Sequence, residues 1–196
     1  VTRTGAQPVF VDIDRRTLNI DPACIAEQVN SRTRAIIPVH YAGVGCAMEA
    51  IGELAREHGL VVIEDAAQGV GASCAGSPLG SHGQLSTFSF HHTKNVACGE
   101  GGALCVHDES MLERARILRD KGTNRAAFLA GQVDKYSWVD EGSSYLPSEL
   151  ACAFLLAQLE AVEQINGARK QAYEFYHQQL EHLDDQGHIV RPHVPA

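Results

Sequence analysis

Phe88-Ser89-Phe90-His91-His92-Thr93-Lys94-Asn95 runs directly into Val96-Ala97-Cys98-Gly99-Glu100-Gly101-Gly102, so two histidines, a threonine and a lysine stand between an alternating apolar run and a glycine-rich turn. Lys94 is one of only four lysines. Partial withdrawal from water at such a place leaves an amine free to attack a carbonyl, the chemistry of a Schiff-base lysine. A second apolar run, Leu60-Val61-Val62-Ile63, is closed by Glu64-Asp65. If both runs are strands of one parallel sheet, Lys94 and Asp65 emerge at the same carboxyl edge, where open α/β sheets keep their ligands.

An amine and a carboxylate converging on one crevice are what pyridoxal 5'-phosphate requires. The amine holds the aldehyde, and the carboxylate keeps the pyridine nitrogen protonated so that the ring can accept electrons. Alone, Asp65 would read as a strand-end turn residue; Lys94 is what makes it a cofactor candidate. Ser89 and Thr93 could offer hydroxyls to a phosphate, or Ser89 could serve a neighbouring backbone. Gln68 could hydrogen-bond a cofactor oxygen without adding charge, or only tie down its loop. Gly99-Glu100-Gly101-Gly102 precedes a strand and does not open a helix, so it reads as a tight turn near Lys94 and not as a nucleotide loop. His40, His91 and His92 are read as hydrogen-bonded structural groups without an acid–base role. Arg125 and Lys135 suit a diphosphate, one as a bidentate fork and one as a point charge, with solvated surface charge as the equal reading for each.

The elements that must position these groups alternate. Residues 9–13 have the pattern of a strand, Asp21-Pro22 opens a short helix to about residue 30, and residues 34–39 form the next strand. Residues 47–58 place Ile51, Leu54, Ala55 and His58 on one helical face, with Gly59 as the stop. Continuous apolar strands in such an order predict a parallel sheet covered on both faces. Residues 69–83 should hold a turn or short hairpin, residues 103–106 another strand, and Asp108 should cap a helix to about residue 121. Residues 123–145 show no sustained period, which predicts a long functional segment lining a cleft or crossing to a partner. Pro147 opens a long helical stretch, predicted to bend near Asn166-Gly167, and a second helix runs to about residue 183.

Across 196 residues, 44% are hydrophobic, enough for a substantial core. A net charge of -8 without a basic block argues against nucleic acid and anionic membrane surfaces as partners. No apolar segment reaches a membrane span and the amino end lacks a signal-peptide layout, so the cytoplasm is the expected location. Six cysteines without a C-x-x-C pair suit reduced, buried thiols, and no metal site is expected. The chain opens without Met close to a strand and ends in Arg191-Pro192-His193-Val194-Pro195-Ala196, from which a continuation is expected on both sides.

Glu64-Asp65-Ala66-Ala67-Gln68, Ser89-Phe90-His91-His92-Thr93-Lys94-Asn95 and Gly99-Glu100-Gly101-Gly102-Ala103, in that order, closely resemble the pyridoxal-phosphate nucleotide-sugar aminotransferases of fold type I, the DegT/DnrJ type. The similarity runs from about residue 9 to 164. It implies an α/β fold, the large domain of a fold type I aminotransferase, incomplete at both ends: residues 1–146 as the central part of the cofactor domain and 147–196 as helices leading toward a small C-terminal domain. Carried over by position, Lys94 forms the internal aldimine, Asp65 pairs with the pyridine nitrogen, Gln68 lies against the cofactor and Ser89 contacts its phosphate. Where much of the family has Asn-Tyr-Arg-Met, this chain reads Ser144-Tyr145-Leu146-Pro147; the resemblance makes Ser144 the counterpart of an Asn that reaches the phosphate in the other subunit of a homodimer. Pro38-Val39-His40-Tyr41-Ala42-Gly43, Lys121-Gly122-Thr123-Asn124-Arg125 and Gly131-Gln132-Val133-Asp134-Lys135-Tyr136 look like the subgroup that makes TDP-4-amino-4,6-dideoxygalactose for cell-surface polysaccharides. The implied partners are a TDP-keto-sugar and an amino donor, glutamate. Alternatives are a transaminase for another nucleotide keto-sugar or another sugar carbon, and a non-catalytic scaffold. The dehydratase branch carries His in place of the lysine and is set aside by Lys94.

Overall fold

The computed structural model describes residues 1–195. Asp21 caps α1 (Pro22–Gln28): its carboxylate accepts from Ala23 N at 2.9 Å, and Pro22 takes the first helical position, where a missing N–H costs nothing. β1 (Ala35–Ile36) is short because Pro38 cannot donate to a ladder, and pairing resumes only as a bridge from Val39 to Asp65. α2 (Met48–His58) buries Ile51 and Ala55 and stops at Gly59, which has a φ of 63°. His58, expected on the apolar face, is exposed at the last turn.

β2 (Val61–Asp65) leads to the hairpin β3 (Ser73–Cys74) and β4 (Ser77–Pro78), joined by Ala75-Gly76, both at positive φ as a two-residue hairpin loop requires. β5 (Leu85–Ser89) and β6 (Gly102–Val106) complete the sheet. Its order is β1-β2-β5-β6, with β1, β2 and β5 parallel and β6 antiparallel to β5. Asp65 lies opposite Thr87, so β2 and β5 share one carboxyl edge. The core on one face joins Ile25, Ile36, Met48, Ile51, Ala55, Leu60 and Val62. Each such large aliphatic contributes about 1.5–3 kcal/mol on burial, which locks the strands and therefore that edge.

Asp108 accepts from Ser110 N at 2.9 Å and caps a single 3-10 turn before α3 (Leu112–Arg119). The 123–145 segment is less irregular than its sequence predicts, since it contains α4 (Arg125–Leu129) and is pinned by the bridges Thr123 to Trp138 and Asp120 to Ser144. Ser148 caps α5 (Glu149–Glu160), followed by α6 (Val162–Gln179) and α7 (Glu181–Asp185). The break falls at Ala161, not at Asn166-Gly167, which lie inside α6, and Asn166 Nδ2 donates to Val70 O at 3.0 Å. No residue of these three helices is buried.

Residues 9–13 do not join the sheet. Phe10 is 92% exposed, and the segment makes only an Ile13 to Ile20 bridge around a tight reversal in which Asp14 N donates to Asn19 O at 2.9 Å. The alternation is present, but Val11 and Ile20 use it to pack on the core without a strand edge to pair with.

Of the six thiols only Cys46 is buried, while Cys152 is exposed and the rest are intermediate, so the expectation of buried thiols holds for one. Burial, and then the neighbouring Glu64 charge, push the Cys46 thiol up to about 12. Native protein treated with iodoacetamide at mildly alkaline pH is expected to leave Cys46 unmodified and to yield it in denaturant. Peptide mass mapping reads this, and equal labelling in both states would contradict it.

Candidate active site

Asp65, the last residue of β2, is held from three directions: its N–H donates to Pro38 O at 2.8 Å, its carbonyl accepts from His40 N at 3.0 Å, and Oδ1 accepts from Ala67 N at 3.0 Å. Among the described residues no hydrogen bond engages Oδ2. A carboxylate anchored through one oxygen and free at the other is arranged to meet a cationic N–H.

Beyond the ends of β5 and β6 the two arms stay paired. Phe90 N donates to Gly101 O, Cys98 N to Phe90 O and His92 N to Gly99 O, each at 2.8 Å, and Lys94 N closes a turn onto His91 O at 2.9 Å. The arms pack closely here: a Cβ at Gly101 would lie 2.5 Å from Cys98 Sγ, so a side chain at that position requires the thiol to turn away. Lys94 sits at the tip, half-buried, and among the described residues its Nζ has no hydrogen-bond or ion-pair partner. With Thr93, Asn95, Val96, Ala42, Ala67 and Gln68 it lines a cavity of about 240 Å³. Asp65 does not line this cavity but is tied to its lining through Ala67. A larger groove of about 370 Å³ beside Leu79, Phe88 and Phe90 is apolar and lies away from Lys94.

Gln68 is oriented by the loop facing it. Ala42 N donates to its Oε1, which leaves Nε2 as the unengaged donor. That loop is bent through left-handed residues, Ala42 at φ 54° and Gly43 at φ 80°, and a Cβ on Gly43 would come within 2.9 Å of Gln68 O.

His40 is the hydrogen-bonded structural group expected from the sequence, but its partner Glu64 escaped sequence reasoning. Both side chains have no exposed surface. Glu64 Oε2 accepts from His40 Nε2 and from Gly80 N at 2.9 Å, while Oε1 accepts from His82 N at 2.7 Å and Gly83 N at 2.6 Å. Burial raises this carboxyl's pKa, but the hydrogen bonds from His40, Gly83, Gly80 and His82 outweigh it and hold it at about 2. Cys46 N donates to His40 Nδ1 at 3.1 Å, so the imidazole is neutral with its proton on Nε2. One buried anion thereby joins the ends of β1 and β2 to the turn before β5. The signal was available: side chains alternate along a strand, so of two adjacent acids at its end only one can point to the Lys94 side.

Ser89 ends β5 and accepts from His91 N at 3.3 Å; it does not line the cavity. Arg125 is paired with Asp120 at 3.5 Å, Asp120 bridges to Ser144, and the Lys135 carbonyl accepts from Asn124 Nδ2 at 2.9 Å. Arg125, Lys135 and Ser144 thus gather around the Asp120 region, all exposed, and the chain does not bring them to the cavity beside Lys94.

An unpaired amine and an amide N–H on one cavity, with a carboxylate free at one oxygen tied to the cavity lining through Ala67, fit pyridoxal 5'-phosphate, the cofactor of the DegT/DnrJ/EryC1 aminotransferases. Known proteins agree with this reading. The chain is 39% identical to GDP-perosamine synthase of Caulobacter vibrioides over 194 residues, which is 99% of this chain and 50% of that protein. The aminotransferase from Psychrobacter cryohalolentis superposes with a TM-score of 0.88 at 31% identity, over 95% of this chain and 48% of that one. DesI, solved in the presence of its TDP-sugar product, gives a TM-score of 0.80 at 35% identity, over 91% of this chain and 43% of that one. The chain therefore spans about half the length of the relatives it matches. With the sequence profile of the DegT/DnrJ/EryC1/StrS aminotransferases matching residues 1–194 as well, this chain belongs to that family.

Proposed function

We propose that the complete protein is a pyridoxal-phosphate-dependent transaminase that moves an amino group from glutamate to the 4-oxo carbon of a TDP-4-oxo-6-deoxy sugar, giving TDP-4-amino-4,6-dideoxygalactose. The observation that carries the proposal is Lys94 and Gln68 lining one cavity, with Asp65 tied to that lining at the shared edge of β2 and β5. When bound, the cofactor supplies an electron sink for the carbon that loses its proton. Lys94 Nζ would hold the cofactor through its aldehyde and, when free, would take a proton from the donor Cα in one half-reaction and return one to the sugar carbon in the other. Asp65, with Oδ2 free, would hold the ring nitrogen protonated, and Gln68, with Nε2 free, would offer a donor to the bound cofactor.

Ser89 is assigned to the phosphate of the same subunit, and Ser144 to that of the partner in a homodimer. Ser144 is exposed on its own chain, as a residue that serves another subunit must be, and α5 next to it presents Leu150, Phe154 and Leu156 to solvent. Arg125 and Lys135 are assigned to the sugar diphosphate. No helix among the described residues is long and apolar enough to cross a membrane.

A second reading, a GDP-linked keto-sugar, is favoured by the similarity to the Caulobacter GDP-perosamine synthase. Incubating the complete protein with glutamate and each 4-oxo sugar nucleotide separates the two, with NMR of the product. An axial amine at C4 of the TDP-sugar is the expected result. Preferential consumption of the GDP-sugar would establish the second reading, and formation of no amino sugar from either would overturn both.

A further inference from the structure

We propose that His91, His92 and Glu100 form a three-ligand site for a divalent transition metal of the zinc class, at the base of the turn that carries Lys94. One potential ligand atom from each residue lies within 4.8 Å of the other two. His91 Nε2 and Glu100 Oε1 are 3.5 Å apart. Metal bonds of about 2.0–2.1 Å to nitrogen or oxygen in a tetrahedron separate the ligand atoms by roughly 3.3 Å, so this pair already spans one edge. The rings of His91 and His92 lie side by side, centroids 3.9 Å apart and tilted by 45°, and a ring nitrogen of exposed His92 lies within the same 4.8 Å as the third ligand atom.

The ligands stand on a rigid frame. His91 and His92 leave one arm of the turn and Glu100 the other, and the arms are cross-linked by the bonds His92 N to Gly99 O and Phe90 N to Gly101 O, both 2.8 Å. His91 Nδ1 lies 2.8 Å from Thr93 Oγ1, which can accept Nδ1–H when a metal takes Nε2; the longer 3.3 Å contact from Thr93 N to the same nitrogen is then given up. Two imidazoles and one carboxylate suit zinc, nickel or cobalt and disfavour magnesium, which prefers oxygen throughout. The fourth position is left to water.

Cobalt titration of the complete, tag-free protein tests the site. One equivalent of Co²⁺ is expected to give tetrahedral ligand-field absorption that Zn²⁺ displaces and Mg²⁺ does not. His92→Gln and Glu100→Gln should each weaken Zn²⁺ binding by at least about tenfold, since loss of an outer partner alone costs that much. Both changes are at exposed side chains, and unchanged melting temperatures confirm the fold, while His58→Gln, on exposed α2 surface, should bind like the wild type. Absorption no stronger than that of aqueous Co²⁺, or wild-type affinity in either His92→Gln or Glu100→Gln, overturns the proposal. Cobalt binding needs no turnover, so its failure would leave the transaminase reading untouched.

Discussion

Lys94→Ala in the complete protein is expected to abolish turnover while leaving the melting temperature of the cofactor-free protein unchanged. Lys94 Nζ has no partner among the described residues, so its removal breaks no bond that holds the fold together. The loss is therefore chemical. Proton transfer by a positioned side chain is worth about 10²–10⁴-fold alone, and the covalent hold on the cofactor is lost in addition. Asp65→Asn is the companion test: it keeps an oxygen for Ala67 N and almost the same shape, but removes the charge. Severely reduced turnover without loss of stability is the expected outcome. Turnover by Lys94→Ala at the wild-type rate would end the proposed mechanism.

Glu64→Gln is expected to destabilise the fold by about 3 kcal/mol, read by urea unfolding near neutral pH. The cavity would scarcely change in size. The cost arises because an amide offers one acceptor oxygen and an N–H₂ group where His40, Gly80, His82 and Gly83 present four donors. The same carboxylate sets an acid limit. Its folded pKa of about 2 lies below the ordinary value of 4.5, so its contribution is fully present above about pH 4.5 and disappears as the pH falls through 2. A shift of that size corresponds to about 3 kcal/mol. Stability of the Gln variant should accordingly fall less steeply than that of the wild type over this window. Parallel acid profiles for the two proteins would show that the buried charge has no such role.

Glu64 and Lys94 also explain how the site is held without contacts that would compete with a ligand. The anion fixes the strand ends and the 40–46 loop, and Asn19 adds bonds from Nδ2 to Val44 O and Gly45 O and accepts from Tyr41 N, each at 3.0 Å. From the far side, Asn166 of α6 holds Val70 in the loop that carries Gln68. Rigid support of this kind is what a positioned amine and carboxylate require.

Much was legible along the chain. The β2 and β5 runs, the α1 cap at Asp21, the α2 stop at Gly59 and the 73–78 hairpin follow from local chemistry, since apolar runs, N-cap oxygens and left-handed glycines act within a few residues. The placement of Asp65 at the end of β2, and of Lys94 in the turn beyond the end of β5, was legible for the same reason, because parallel strands share an edge.

Where partners are remote, the sequence was silent or misleading. Residues 9–13 alternate like a strand, yet a strand also needs an edge to pair with, and only assembly decides whether one is offered. The break in the long helix falls at Ala161, while Asn166, a poor helix residue on its own, lies inside α6 with its side chain bonded to Val70, 96 positions away. The charge state of Glu64, the proton position on His40 and the meeting of His91 and His92 with Glu100 are likewise fixed by donors and acceptors that are near only in space. Amino-acid order thus determined which groups could react and which end of the sheet they occupy, and tertiary packing decided which of them are anchored, buried or left free, because hydrogen bonds and desolvation depend on neighbours that chain order does not specify.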